Sequence, residues 1–150
     1  MSIRGFPAQW PTGSRPNAQR FPLLSGEAFK AGDFVFLTSG EVAEVSGADP
    51  SVILGLAAED ATGVVETGYV MVYVVDDQTL FRLQGTTPYA EATHLGNDYA
   101  ILESSGVYIV DVDDATTNNH RVTVIGGQAN TVDDDDFFLV KFIEAYRQLG

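Results

Sequence analysis

The chain has 150 residues, 45% of them hydrophobic and 11% aromatic, with no cysteine and a net charge of −13. That apolar content suffices for one domain with its own core, and the lack of cysteine excludes disulfides and thiolate metal sites. The acidic balance argues against a nucleic-acid partner, which would need Lys and Arg to displace phosphate counterions.

The charge is uneven, with residues 1–30 balancing to +3 and residues 31–150 to −16. A basic head on an acidic body is expected. The longest apolar run, YVMVYVV at 69–75, is too short to cross a bilayer, and no apolar leader opens the chain. A soluble protein with no membrane partner and no export signal is therefore expected.

Four of the six prolines, Pro7, Pro11, Pro16 and Pro22, fall in the first 22 residues and leave no room for a helix between them. Residues 1–24 are expected as an extended, Pro-rich, basic N-terminal arm, and residues 25–150 as a single β domain. Arg4, Phe6, Trp10, Arg15, Arg20 and Phe21 lie in the arm. These are the residue types that anchor interfaces, so the arm reads as a docking segment or a strand exchanged onto a neighbour. The plainer alternative is a disordered leader with incidental aromatics.

From residue 29 onward, short apolar runs alternate with Gly, Asp, Ser and Thr, a β texture. FVFL at 34–37 and EVAEV at 41–45 flank T-S-G, a hairpin whose turn needs a positive φ at Gly40. VILGLAA at 52–58, YVMVYVV at 69–75 and TLFRL at 79–83 follow. YAILE at 99–103, VYIVDV at 107–112, RVTVI at 121–125 and FFLVKFI at 137–143 complete a count of nine. The expected class is all-β, a small barrel or sandwich. The unalternating run at 69–75 predicts a strand covered on both faces. In RVTVI, Val122 and Val124 are expected inward, with Arg121 and Thr123 outward. Helix is expected only as a turn near 90–95 or in the tail from Ala145.

Chemistry is sparse. The run Asp133, Asp134, Asp135, Asp136 has oxygen ligands for a hard cation, but adjacent acids on an extended chain alternate in direction. A solvated loop before the last strand is expected. DVDDATTNN at 111–119 begins like a calcium loop but lacks the glycine at its sixth position and the closing Glu, so a turn is expected. His94 and His120 are placed in loops, without zinc spacing or a serine elbow to serve. The neighbouring pairs Glu59, Asp60 and Asp76, Asp77 would point to opposite faces of a strand, which rules out each pair as a glycosidase dyad. No catalytic residue, metal or cofactor is expected.

One segment has a family likeness. Ala31, Gly32, Asp33, Phe34 and Val35 are followed by Gly40, Glu41 and Val42, and a short turn leads to ILGLAAEDA at 53–61. This order resembles the capsid decoration, or cement, proteins of tailed bacteriophages. The resemblance implies a β-barrel-like or β-tulip domain, a homotrimer, that binds the outer surface of the head across joints between major capsid proteins. It implies assembly in the host cytoplasm and a stabilising role without catalysis. Arg4, Phe6, Trp10, Arg15, Arg20 and Phe21 are then the candidate capsid-binding residues of the arm, on their chemistry alone, because the likeness starts downstream of them. A β-sandwich carbohydrate-binding or fibre module is the alternative, with Trp10, Tyr89, Tyr99 and Tyr108 as sugar platforms.

Overall fold

The computed structural model describes residues 6–8, 17–45, 47, 50–63, 68–76, 79–104, 107–129 and 136–149, with the side chains of 6–8, 104 and 107 excepted. Among them run thirteen strands: β1 (Phe6–Ala8), β2 (Ala18–Pro22), β3 (Ala28–Phe29), β4 (Phe34–Thr38), β5 (Glu41–Glu44), β6 (Gly55–Ala57), β7 (Ala61–Thr62), β8 (Tyr69–Val74), β9 (Leu80–Leu83), β10 (Asp98–Ser104), β11 (Val107–Asp111), β12 (Val122–Gln128) and β13 (Phe137–Phe142). One short helix, α1 (Glu91–His94), and two 3-10 turns, Thr117–Asn119 and Glu144–Tyr146, accompany them. The all-β class holds. The strands beyond the expected nine are β1, β2, β3 and β7, two or three residues long apart from β2 and set among prolines and glycines. The described parts of residues 1–24 are extended and are built into both large sheets as β1 and β2.

The two large sheets share one plan. The first is ordered β2-β8-β6-β4-β5, and the second β9-β13-β12-β10-β11 with β1 added outside β9. With the strands of each unit counted from its own start, both orders read 1-5-4-2-3. In both, strand 1 returns to strand 3 through a parallel bridge, Leu23 to Val42 in the first unit and Gly85 to Val110 in the second. Each sheet therefore curls until its ends meet, which leaves few unpaired edges. The hairpins of strands 2 and 3 also match: Thr38 pairs Glu41 around Ser39-Gly40, and Ser104 pairs Val107 around a Ser-Gly of the same sequence. Ser39 and Gly40 have φ of 52° and 82°, the double positive φ of a type I′ hairpin. A buried ring between strands 1 and 2 caps each unit, Phe29 on β3 in the first and Tyr89 before α1 in the second.

The units pack head to tail. Val35, Val42, Leu54, Val70 and Val72 fill the first unit, with Phe21, Leu23 and Leu37 packed against them. The second core, built on Phe81, Ile101, Val110, Val124, Phe138 and Phe142, extends onto the outer face of the first unit at Phe34, Leu56 and Val75. Phe34 meets the edge of Phe142 at 5.3 Å and lies tilted on Tyr108 at 4.9 Å. The Tyr108 hydroxyl, set between Val45 O at 2.9 Å and Gly47 O at 2.8 Å, donates across the junction. The tail returns as well, with Gln148 exchanging two hydrogen bonds with the Leu37 backbone.

Two orientations differ from expectation. Arg121 is buried: its guanidinium donates to Pro50 O at 2.7 Å and Asn118 O at 2.8 Å and lies over the Tyr146 ring at 3.8 Å. Tight main-chain acceptors and an aromatic face offset the loss of water. β8 is a central strand, but its faces differ. Val70, Val72 and Val74 are buried, whereas Tyr69 is 65% exposed and Met71 and Tyr73 are half-buried. An apolar run does not reveal that one of its faces is left partly open.

Candidate binding surface

Of the expected arm residues, Arg4, Trp10 and Arg15 lie outside the described residues, and for Phe6 only the backbone is described, paired with Arg82. Arg20 is exposed on β2, and Phe21 is half-buried against the first core. Alternation explains the split, since Phe21 and Leu23 face inward and Arg20 and Pro22 outward.

Register brings two neighbours to Arg20. Arg20 stands opposite Met71, and Pro22 opposite Tyr69. Asn17 and Leu23 make the main-chain bonds to β8, to Val74 at 2.7 Å and Gly68 at 2.9 Å, so the pairs at Arg20 and Pro22 are the close, non-hydrogen-bonded kind. Arg20, Pro22, Tyr69 and Met71 therefore share the outer face, with a cation beside the most exposed aromatic ring among the described residues. Arg and Tyr in one patch have the composition of a contact hot spot. Sequence reading missed Tyr69 because the whole run around it was taken as covered.

Other candidates are committed to the fold. His94 sits buried in α1 rather than in a loop, with Nδ1 accepting the Ala90 N–H at 2.9 Å and the ring among Tyr89, Tyr99 and Phe138. Burial holds its pKa below the usual histidine value. The sugar-platform candidates Tyr89 and Tyr108 are buried and Tyr99 packs on the second core, so none of these three offers a free ring face. Burial raises the pKa of both Tyr89 and Tyr108.

The 111–119 segment is a turn. Asp114 accepts from Thr116 N and Asn119 Nδ2, both at 2.9 Å, and these bonds, led by that of Asn119, hold its carboxyl below the usual range. Asp133, Asp134 and Asp135 lie outside the described residues, and Asp136 is half-buried before β13. A cleft of about 490 Å³ beside β3 and β7 is lined by Lys30, Asp33, Glu44 and Asp60. Its carboxylates serve neighbouring groups: Asp33 accepts from Lys30 N at 3.0 Å, and Asp60 accepts from Ala31 N at 2.8 Å and pairs with Lys30 Nζ at 3.6 Å. Among the described residues no group of three His, Asp or Glu side chains could hold a metal ion, and no helix is long and apolar enough to cross a membrane. No protein-family model and no curated protein matches the chain.

Proposed function

We propose that this chain is a decoration protein of a tailed-phage head, bound to the outer surface of the shell and stabilising it without catalysis. One observation supports the reading: the described residues of the family likeness, within 31–61, include β4, β5 and β6, which are neighbours in the first sheet, and their glycines have defined roles there. Gly32 and Gly40 have φ of 94° and 82°, and Gly55 lies against the β8 backbone. Beside that piece stands the Arg20, Pro22, Tyr69 and Met71 face, which would contact the major capsid protein. Binding only the mature shell stabilises it by mass action, about 2.7 kcal/mol per site at a free concentration one hundred times Kd.

The test is co-sedimentation of the full-length protein with expanded heads that lack it, and with unexpanded heads. Saturable binding to expanded heads alone is expected, weakened about tenfold or more by Arg20→Glu combined with Tyr69→Ala. Absence of binding by the wild-type chain overturns the function. Unaltered binding by a folded double variant overturns the assignment of the surface.

A further inference from the structure

Among the described residues the upstream half of β2 has an open edge. Asn17 O accepts from Val74 N and Leu23 N donates to Gly68 O, so the odd-numbered residues of β2 bond to β8. Alternation turns the N–H and C=O of Ala18 and Arg20 the other way, the direction in which Leu24 N reaches Val42 O at 3.0 Å. Downstream, the Leu23 to Val42 bridge closes that edge. Upstream, nothing among the described residues pairs with Ala18 or Arg20. The equivalent edge of the second unit is filled, because β1 lies along Leu80–Arg82 of β9 just upstream of the Gly85 to Val110 bridge. The repeated plan thus has two matching acceptor edges and covers one of them from its own N-terminus.

We propose that the open β2 edge is an interface between two copies of this chain, paired antiparallel about a two-fold axis at Gln19. The edge is self-complementary. In that register Ala18 stands across from the partner subunit's Arg20, so each outward N–H meets an outward carbonyl. The window ends at Pro22 on one side, and in the sequence Pro16 stands two positions before Ala18. Neither proline has an N–H, so the pairing leaves no donor unmatched. Arg20 lies opposite an alanine instead of a second arginine, which avoids opposing like charges. About the two-fold axis like meets like, two heads of +3 on two chains of −13, so the pairing rests on the main chain and weakens at low salt. Prolines and a cation also serve to keep edges from pairing, and a chain that stays monomeric is that outcome. A dimer also differs from the trimer that the family likeness implies, so stoichiometry separates the two.

The experiment is light scattering of the eluting full-length protein over a range of loading concentrations. The expected mass rises from 16.1 kDa towards twice that value. Ala18→Pro and Arg20→Pro, whose lost N–H groups both point outward, should remain monomeric, while Arg20→Ala, which loses the same side chain but keeps the main-chain donor, should still dimerise. A monomer at every concentration, a trimer, or a dimer that survives both proline substitutions overturns the proposal. Should the proline variants lose their circular dichroism, amide exchange in the wild type decides. Slower exchange at Ala18 and Arg20 at high protein concentration supports the pairing, and rates independent of concentration refute it. Heads take no part in this experiment, so head binding remains the separate test of the decoration reading.

Discussion

Gly55→Ala should be among the most damaging single-methyl additions in the chain. Gly55 pairs with Val74, and a Cβ built on it would overlap the Tyr73 carbonyl oxygen and stand 2.8 Å from the Tyr73 carbonyl carbon and 2.9 Å from Val72 Cγ1. Two of these atoms are backbone, so no rotamer change relieves the clash, and β8 must move away from β6. That movement strains a core already at native density, costing about 1–3 kcal/mol. It also loosens the bonds from Val75 N to Leu54 O and from Ala58 N to Met71 O, both 2.9 Å, each worth about 1 kcal/mol. A loss of about 3–5 kcal/mol follows, or roughly 6–20 °C in Tm at this chain length.

Two further glycines separate the physical causes. Gly40→Ala meets nothing within 4 Å but must adopt a φ of 82°, which costs about 1–2 kcal/mol. Gly126→Ala meets only Leu139 Cδ2, at an ordinary 3.8 Å, and should be neutral or stabilising by about 0.4–1 kcal/mol. Urea unfolding of the three variants, compared at constant m, should rank Gly126, Gly40, Gly55 in rising cost. A Gly55→Ala protein within about 0.5 kcal/mol of wild type would refute the steric reasoning.

Tyr108→Phe removes the hydroxyl that serves Val45 O and Gly47 O across the junction and should cost about 1–2 kcal/mol in the urea midpoint; no change would mean that water replaces it freely. Arg121→Ala should cost about 3–5 kcal/mol through lost main-chain bonds and the Tyr146 contact, with Arg121→Lys falling between it and wild type. His94 gives a pH dependence of known sign. Its folded pKa lies below the 6.5 of the unfolded chain, so the unfolded state binds the extra proton. Stability is full above that value and declines as the pH falls through it towards the folded pKa. His94→Gln should flatten this decline in chemical-denaturation curves taken across the window, and an undiminished slope would assign it to other groups.

Legibility in the sequence followed the range of the interactions. The Ser39-Gly40 turn, the alternation of Val122 and Val124 and the strand at 137–142 are fixed within a few residues, and they were readable. The parallel bridges at Val42 and Val110 join residues 19 and 25 positions from their partners, Leu23 and Gly85, and no local pattern announces them. The repeat was hidden for the same reason. A five-strand plan constrains which positions face inward and where turns fall, and it accepts Val35-Phe36-Leu37 in one unit and Ile101-Leu102-Glu103 in the other. Arg121 failed differently: a charged residue reads as outward until a main-chain carbonyl from another unit, Pro50 O, is known to wait for it.

The repeat gives the N-terminal segment a defined place. Two copies of one plan packed head to tail are not equivalent, because the outer face of the first unit closes the core of the second while the cap of the first is its own β3 and β7. The first strands of both units keep an upstream edge that the bridge to strand 3 does not reach. β1 covers that edge at β9, where Pro7 at the centre of a three-residue strand gives no donor, so the pairing contributes little beyond closing the gap. At β2 the same position offers Ala18 and Arg20 next to the exposed Tyr69 face. Main-chain pairing would supply register there and Tyr69 apolar contact area, while Arg20 would supply the charge. Edge and face lie on the same strand but point in perpendicular directions. A second copy on the edge and a shell on the face would therefore not compete for the same atoms, and Ala18→Pro, which disables the edge and leaves Arg20 and Tyr69 in place, should leave binding of the face to heads intact.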